Sequence, residues 1–235
     1  MKVNKSIQYK QRYLYHDFQP IYNFQKNELI GYEALLRSKR GESPIEIIRC
    51  ARNTHQLYSL EMFSIKRAIK EFSRNNIDKI LFLNIFPSTI MHKLFLSNFE
   101  MLIEQIDFKL VLEISELENI TNFEILKRKI SKLQTFGVKL AMDDLGNSNE
   151  ELKKMIEMNI DYIKLDKYFA DDLSKCLKKQ EMITLIKNYY KDNSEIILEG
   201  IEQVKDLKYA EHLGLYLGQG YLLGKPAPLK IISSD

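Results

Sequence analysis

The stretch FQPIYNFQKNELIGYEALL, Phe18 to Leu36, holds two apolar runs, FQPIYNF (18–24) and LIGYEALL (29–36), joined only by QKNE (25–28). Two parallel strands need a crossover of about a dozen residues, usually a helix, so four residues can connect these runs only as an antiparallel hairpin. Beyond the hairpin the pattern changes. Short runs, KILFLNIF, KLVLEIS, VKLAMDD, DYIKL, EIILEG and YLGQGYLL, are mostly separated by longer amphipathic stretches. Among these, PIEIIRCARNTHQLYSLEMFSIKRAIKEFSR and YFADDLSKCLKKQEMITLIKNYY carry apolar residues at helical spacing. Several strands are almost continuously apolar, as parallel strands covered by helices are. The expected fold is α/β, a TIM-like (β/α)8 barrel with one early strand antiparallel, over a single domain spanning 1–235. An open doubly wound sheet has the same periodicity and stays as the alternative.

The remaining composition narrows the function classes. A formal charge of +3, with basic residues scattered among acidic ones, does not describe a DNA, RNA or membrane surface. No run reaches membrane-span length and the first residues lack the apolar centre of a signal peptide, which makes a cytoplasmic location the expectation. The 2 cysteines, Cys50 and Cys176, and the 4 histidines are dispersed, so neither a disulfide framework nor a zinc site is indicated. Any bound metal must be held by oxygen. The glycines of GLYLGQGYLLGKP are not spaced as GxGxxG and read better as a barrel-closing strand.

Parallel barrel strands deliver their C-terminal ends to one face, where active sites are built. KILFLN ends in Asn84, KLVLE in Glu113, VKLAMDD in Asp143 and Asp144, DYIK in Lys164, EIILE in Glu199 and YLGQ in Gln219, while Glu33 stands in GYEALLR. Any one of these alone reads as an exposed polar residue. Together, directly after apolar runs, they predict one acidic pocket. Five carboxylates and an amide oxygen suit a hard divalent cation, magnesium or manganese. The adjacent Asp143 and Asp144 repel each other unless cations lie beside them, and such a pair can serve two ions, as in sites that cut phosphodiesters. Lys164 is then placed to orient water or to offset charge developing on a phosphoryl group.

With these residues in view, the chain resembles the EAL domain family of cyclic di-GMP phosphodiesterases. The signature stands as YEALLR, and the likeness continues through LNIFPSTI, LVLEISE, LAMDDLG, IDYIKLD and LEGIE to LGQGYLLGKPAP. The resemblance implies metal ligation by Glu33, Asn84, Glu113, Asp143, Asp144 and Glu199. It implies water activation with help from Lys164, a phosphate contact by Arg37, and substrate-pocket positions at Gln19 and Gln219. The implied reaction opens cyclic di-GMP to linear pGpG.

After the aspartate pair the family resemblance weakens, since LGNSNEEL stands where the family carries a loop like FGTGYSSL. Leu145 replaces the aromatic residue, the second glycine is lost, and Glu150 and Glu151 add negative charge near an anionic substrate. In the family this loop links the metal site to a homodimer interface, with Glu116 matching its anchor. The departure raises the alternative of a cyclic di-GMP receptor or adaptor acting through protein contacts. Control is expected through expression, dimerisation or a separate regulatory protein.

Overall fold

A computed structural model of the chain describes residues 11–75, 77–115, 118, 122–145, 159–190 and 193–229, with the backbone alone described at 144 and 145. The opening hairpin is present. Strand β1 (Leu14–Asn23) runs antiparallel to β2 (Glu28–Ser38), paired from Leu14 opposite Ser38 to Asn23 opposite Glu28 with one shift of register between Ile21 and Tyr22. Strands β3 (Ile80–Ile85), β4 (Leu110–Ile114), β5 (Lys139–Leu145), β6 (Tyr162–Leu165) and β7 (Glu195–Leu198) then follow in parallel.

The two-residue strand β8 (Leu217–Gly218) pairs parallel with β7 and antiparallel with β1, closing the barrel in sequence order. The open-sheet alternative is thereby excluded. Because β1 is antiparallel to both neighbours, it begins at the end of the barrel where the others finish.

The barrel interior is a layer of Ile21, Phe82, Val111, Ala141, Tyr162, Ile197 and Leu217, each from a different strand. A larger core, including Ile65, Phe72, Leu112, Leu140, Ile163 and Leu198, fills the space between the sheet and the surrounding helices. The two populations alternate along each strand, as the period of two requires.

The first amphipathic stretch forms two helices and not one. Helix α1 (Pro44–Asn53) starts at a capping box between Ser43 and Glu46, and α2 (Leu57–Ser73) follows after a break. The break falls at His55, which has a positive φ of 55°, a conformation that cannot continue a right-handed helix. Both helices cover the β1–β2–β3 side of the barrel. Beyond β3 lies the short helix α3 (Pro87–Met91), and β6 is followed by the helix Lys167–Ala170, a 3-10 turn and the longer helix Leu177–Tyr190.

Candidate active site

Strand periodicity builds the site directly above the apolar layer. Two residues beyond Phe82, Val111, Ala141, Tyr162, Ile197 and Leu217 stand Asn84, Glu113, Asp143, Lys164, Glu199 and Gln219. In the reversed β1 the equivalent step runs backwards, from Ile21 to Gln19, which lies opposite Glu33 of β2. One alternation thus sends apolar side chains into the barrel and then, one layer up, a ring of polar ones.

Lys164 occupies the middle of this ring and is 1% exposed. Its Nζ lies 2.7 Å from Glu199 Oε1, 2.9 Å from Glu113 Oε1, 3.2 Å from Glu33 Oε2 and 3.2 Å from Asp143 Oδ1. Glu33 is further held by Asn84 Nδ2, which donates to Oε1 at 2.8 Å, and by Gln219 Nε2, which donates to Oε2 at 2.9 Å. Six strand ends are therefore joined to β2 through a single carboxylate and a single ammonium.

The electrostatics divide the acids. Burial acts to raise the pKa of Glu33, but Lys164 and the hydrogen bonds from Gln219 and Asn84 outweigh it and hold the carboxyl below its usual range. Glu113 is fully buried, and burial, reinforced by Glu33, drives its pKa well above the ordinary value. Burial likewise raises Glu199 to about 8 against the opposing pull of Lys164. Burial would lower Lys164, yet Asp143, Glu113, Glu199 and Glu33 raise it well above a normal lysine. The centre is a fixed ammonium inside a surplus of acid.

That surplus fits a further cation. Four carboxyl groups face one ammonium, and among the described residues both oxygens of Glu113 are buried without a hydrogen-bond partner, with only the ion pair to Lys164 beside them. Such a group must hold a proton or meet a positive charge. Among the described residues no three acids are spaced to hold an ion as they stand, because the ammonium occupies the point they share. Turning the carboxylates from Lys164 towards a divalent ion supplies oxygen ligands of the right kind.

The other expected site residues fall at the rim or outside the described residues. Gln19 is buried and its Nε2 donates to the carbonyl of Gly224 at 3.1 Å, tying β1 to the last turn of the barrel. Arg37 lies at the mouth, where Nε donates to Asp17 Oδ2 at 3.1 Å and Nη1 to the Leu36 carbonyl at 3.0 Å. A cavity of about 250 Å3 runs past Arg37 to Glu33, Asn84 and Asp143. The side chain of Asp144, the anchor Glu116 and the loop residues Glu150 and Glu151 lie outside the described residues.

Sequence reasoning passed over Asp17 and Glu61. Asp17 shares the parity of Gln19 along β1, so its place at the mouth was readable from the spacing. Glu61 stands on the buried stripe of α2 with Ile65, Ala68 and Phe72, and its Oε1 accepts from the Phe86 N–H at 3.0 Å, two residues beyond Asn84. An acid on an apolar stripe was its signal.

Barrels of this kind, with polar residues gathered on the strands' C-terminal ends, are the (β/α)8 class in which such a face carries the chemistry. A model of the EAL domain matches residues 2–226, and the chain belongs to the EAL domain family. The probable cyclic di-GMP phosphodiesterase PdeI of Escherichia coli is 30% identical over 227 residues, covering 90% of this chain and 28% of that protein. The cyclic di-GMP phosphodiesterase PdeA of Borreliella burgdorferi is 32% identical over 178 residues, covering 70% of this chain and 26% of that one. The chain thus spans little more than a quarter of the length of either relative.

Among solved structures, the EAL enzyme Bd1971 in its cAMP- and cyclic-di-GMP-bound form superposes with a TM-score of 0.84 at 25% identity, over 93% of this chain and 63% of that one. The manganese and cyclic-di-GMP complex of Klebsiella pneumoniae BlrP1 superposes with a TM-score of 0.80 at 23% identity, over 91% of this chain and 56% of that one, a likeness of fold. Among the described residues no helix is long and apolar enough to cross a membrane.

Proposed function

We infer that the chain is a metal-dependent phosphodiesterase that opens cyclic di-GMP at one phosphodiester to give linear pGpG. The observation that carries this reading is the convergence of Glu33, Glu113, Asp143 and Glu199 on Lys164 at the strand ends of an EAL-family barrel. Glu33, Asn84, Glu113, Asp143, Asp144 and Glu199 are the residues that would hold one or two magnesium or manganese ions. Bound there, a divalent cation lowers the pKa of water and offsets charge on phosphoryl oxygens.

The protein's own groups do the rest. Lys164, released from some of its carboxylates, keeps a buried positive charge where the phosphoryl oxygens gain negative charge. Glu33 fixes Asn84 and Gln219 in one orientation, so the ligand set is arranged before substrate arrives. Arg37 has guanidinium donors to spare for a phosphate oxygen, since a guanidinium carries five N–H groups.

Incubating the purified protein with cyclic di-GMP and Mg2+ or Mn2+, and following pGpG by chromatography, tests the reading. Turnover that falls by about a thousandfold or more in Glu33→Ala supports it. A variant that keeps the wild-type rate removes Glu33 from the mechanism. Binding in Ca2+ without turnover in either metal favours the receptor or adaptor reading, which rests on the altered sequence after Asp144.

A further inference from the structure

Arg37 is the cationic side chain that β2 sends to the mouth of the cavity, and its guanidinium is not left to choose its own direction. Asp17 of β1 sits diagonally across the hairpin, because Tyr15 is the residue directly opposite Arg37 and Asp17 is opposite Leu35. Diagonal neighbours on one sheet face are within reach of long side chains. The Asp17 carboxylate accepts from Nε and the Leu36 carbonyl accepts from Nη1, so two of the three guanidinium nitrogens are engaged. Both Nη2 hydrogens stay uncommitted to these two partners.

The Asp17 and Arg37 side chains are 17% and 29% exposed. An ion pair so placed adds little to stability. What it does fix is direction. An arginine side chain surrenders much rotamer freedom when it engages a phosphate, and a guanidinium already held at two of its nitrogens surrenders less.

We propose that Asp17 is a positioning residue for Arg37, aiming the remaining Nη2 donors of its guanidinium into the cavity to receive a phosphodiester oxygen of the cyclic dinucleotide. This rests on the phosphodiesterase reading above. Asp17 touches neither substrate nor the acid cluster and acts only through Arg37.

The test is a double-mutant cycle on the whole chain, with kcat and KM for cyclic di-GMP in Mn2+ and Kd for the same dinucleotide in Ca2+. Asp17→Ala is expected to raise KM and Kd about five- to tenfold while kcat stays within about twofold. Asp17→Asn keeps an acceptor oxygen for Nε and is expected to restore wild-type values. In an Arg37→Ala background, Asp17→Ala is expected to change nothing more.

Asp17→Ser, whose hydroxyl stops short of Nε, is the second truncation if the alanine variant does not fold. A silent Asp17→Ala, a tighter-binding one, or an equal loss with Arg37 already removed overturns the proposal while leaving the function intact. A wild-type chain that neither binds nor hydrolyses the dinucleotide overturns the function, and this proposal with it.

Discussion

Glu199 Oε1 approaches the ammonium of Lys164 to 2.7 Å, the shortest of four carboxylate contacts made by that one buried group. A lysine so enclosed acts as the counter-ion of the acid ring. Its replacement should therefore be felt most when no other cation is present.

Lys164→Met keeps most of the length of the side chain and deletes the charge, leaving buried acids without compensation. Breaking a buried pair this way costs about 3–5 kcal/mol. The expected result is a clear fall in melting temperature in chelator-treated buffer, partly recovered by Mn2+, and a larger Mn2+-induced rise than wild type shows. Equal shifts in the two proteins would mean that Lys164 and the metal do not compete for the same acids.

Glu61, which lines the same cavity as Glu33 and Asn84, offers a pH dependence of its own. Burial pushes its carboxyl up to about 8 from an ordinary 4.5, against the neighbouring Thr89 hydroxyl and the hydrogen bond it accepts from the Phe86 N–H. Between those values the folded state holds a proton that the unfolded chain has lost. Stability from this group is therefore present at low pH and declines as pH rises through 8. Glu61→Gln cannot ionise and keeps an acceptor for Phe86. It should be the more stable protein by roughly 2 kcal/mol at about pH 8.5 and near wild type at about pH 5. Urea unfolding at both values checks the widening gap, and a gap independent of pH would remove Glu61 as its source.

Helix α3 has Phe86 at its N-cap and no side-chain cap of its own. Glu118 supplies the missing acceptor, taking hydrogen bonds from Ser88 N and Ser88 Oγ at 2.9 Å each and from Arg52 Nη2 at 3.1 Å. Glu118→Ala should cost about 1 kcal/mol, with Arg52→Ala adding little on top because the two share a network. Additive losses in chemical unfolding would show that Arg52 and Glu118 act separately.

Gly200, directly after Glu199, has φ of 67°, and an added Cβ would lie 2.3 Å from Lys167 Cβ. Gly200→Ala should lower stability by about 2 kcal/mol or more and lower turnover by displacing Glu199. A variant with wild-type melting temperature and rate would show that the turn can shift at no cost.

The positions of Asn84, Glu113, Asp143, Lys164, Glu199 and Gln219 were legible because each follows an apolar run by fixed parity, and strand parity is a local property. The hairpin was legible from QKNE for the same reason. Barrel closure was less so, since a closed sheet and an open one share one periodicity and are told apart by the pairing of β8 with β1. The break between α1 and α2 hid in a continuous amphipathic pattern, because His55 is a residue type that only occasionally takes positive φ. Nor does any motif announce Asp17 or Glu61, whose roles come from partners far away in sequence or on another element.

The two-residue strand Leu217–Gly218 has a consequence for biosynthesis. It is the only element that pairs with both β7 and β1 among the described strands, and Gln219 just beyond it reaches Glu33 across 186 positions. A chain emerging from the ribosome can form the hairpin early, but it has no way to close the ring until Leu217 and Gly218 have been made. Until then the row of acids belongs to an open edge, and nascent chains halted short of residue 217 should be the forms that recruit chaperones or aggregate.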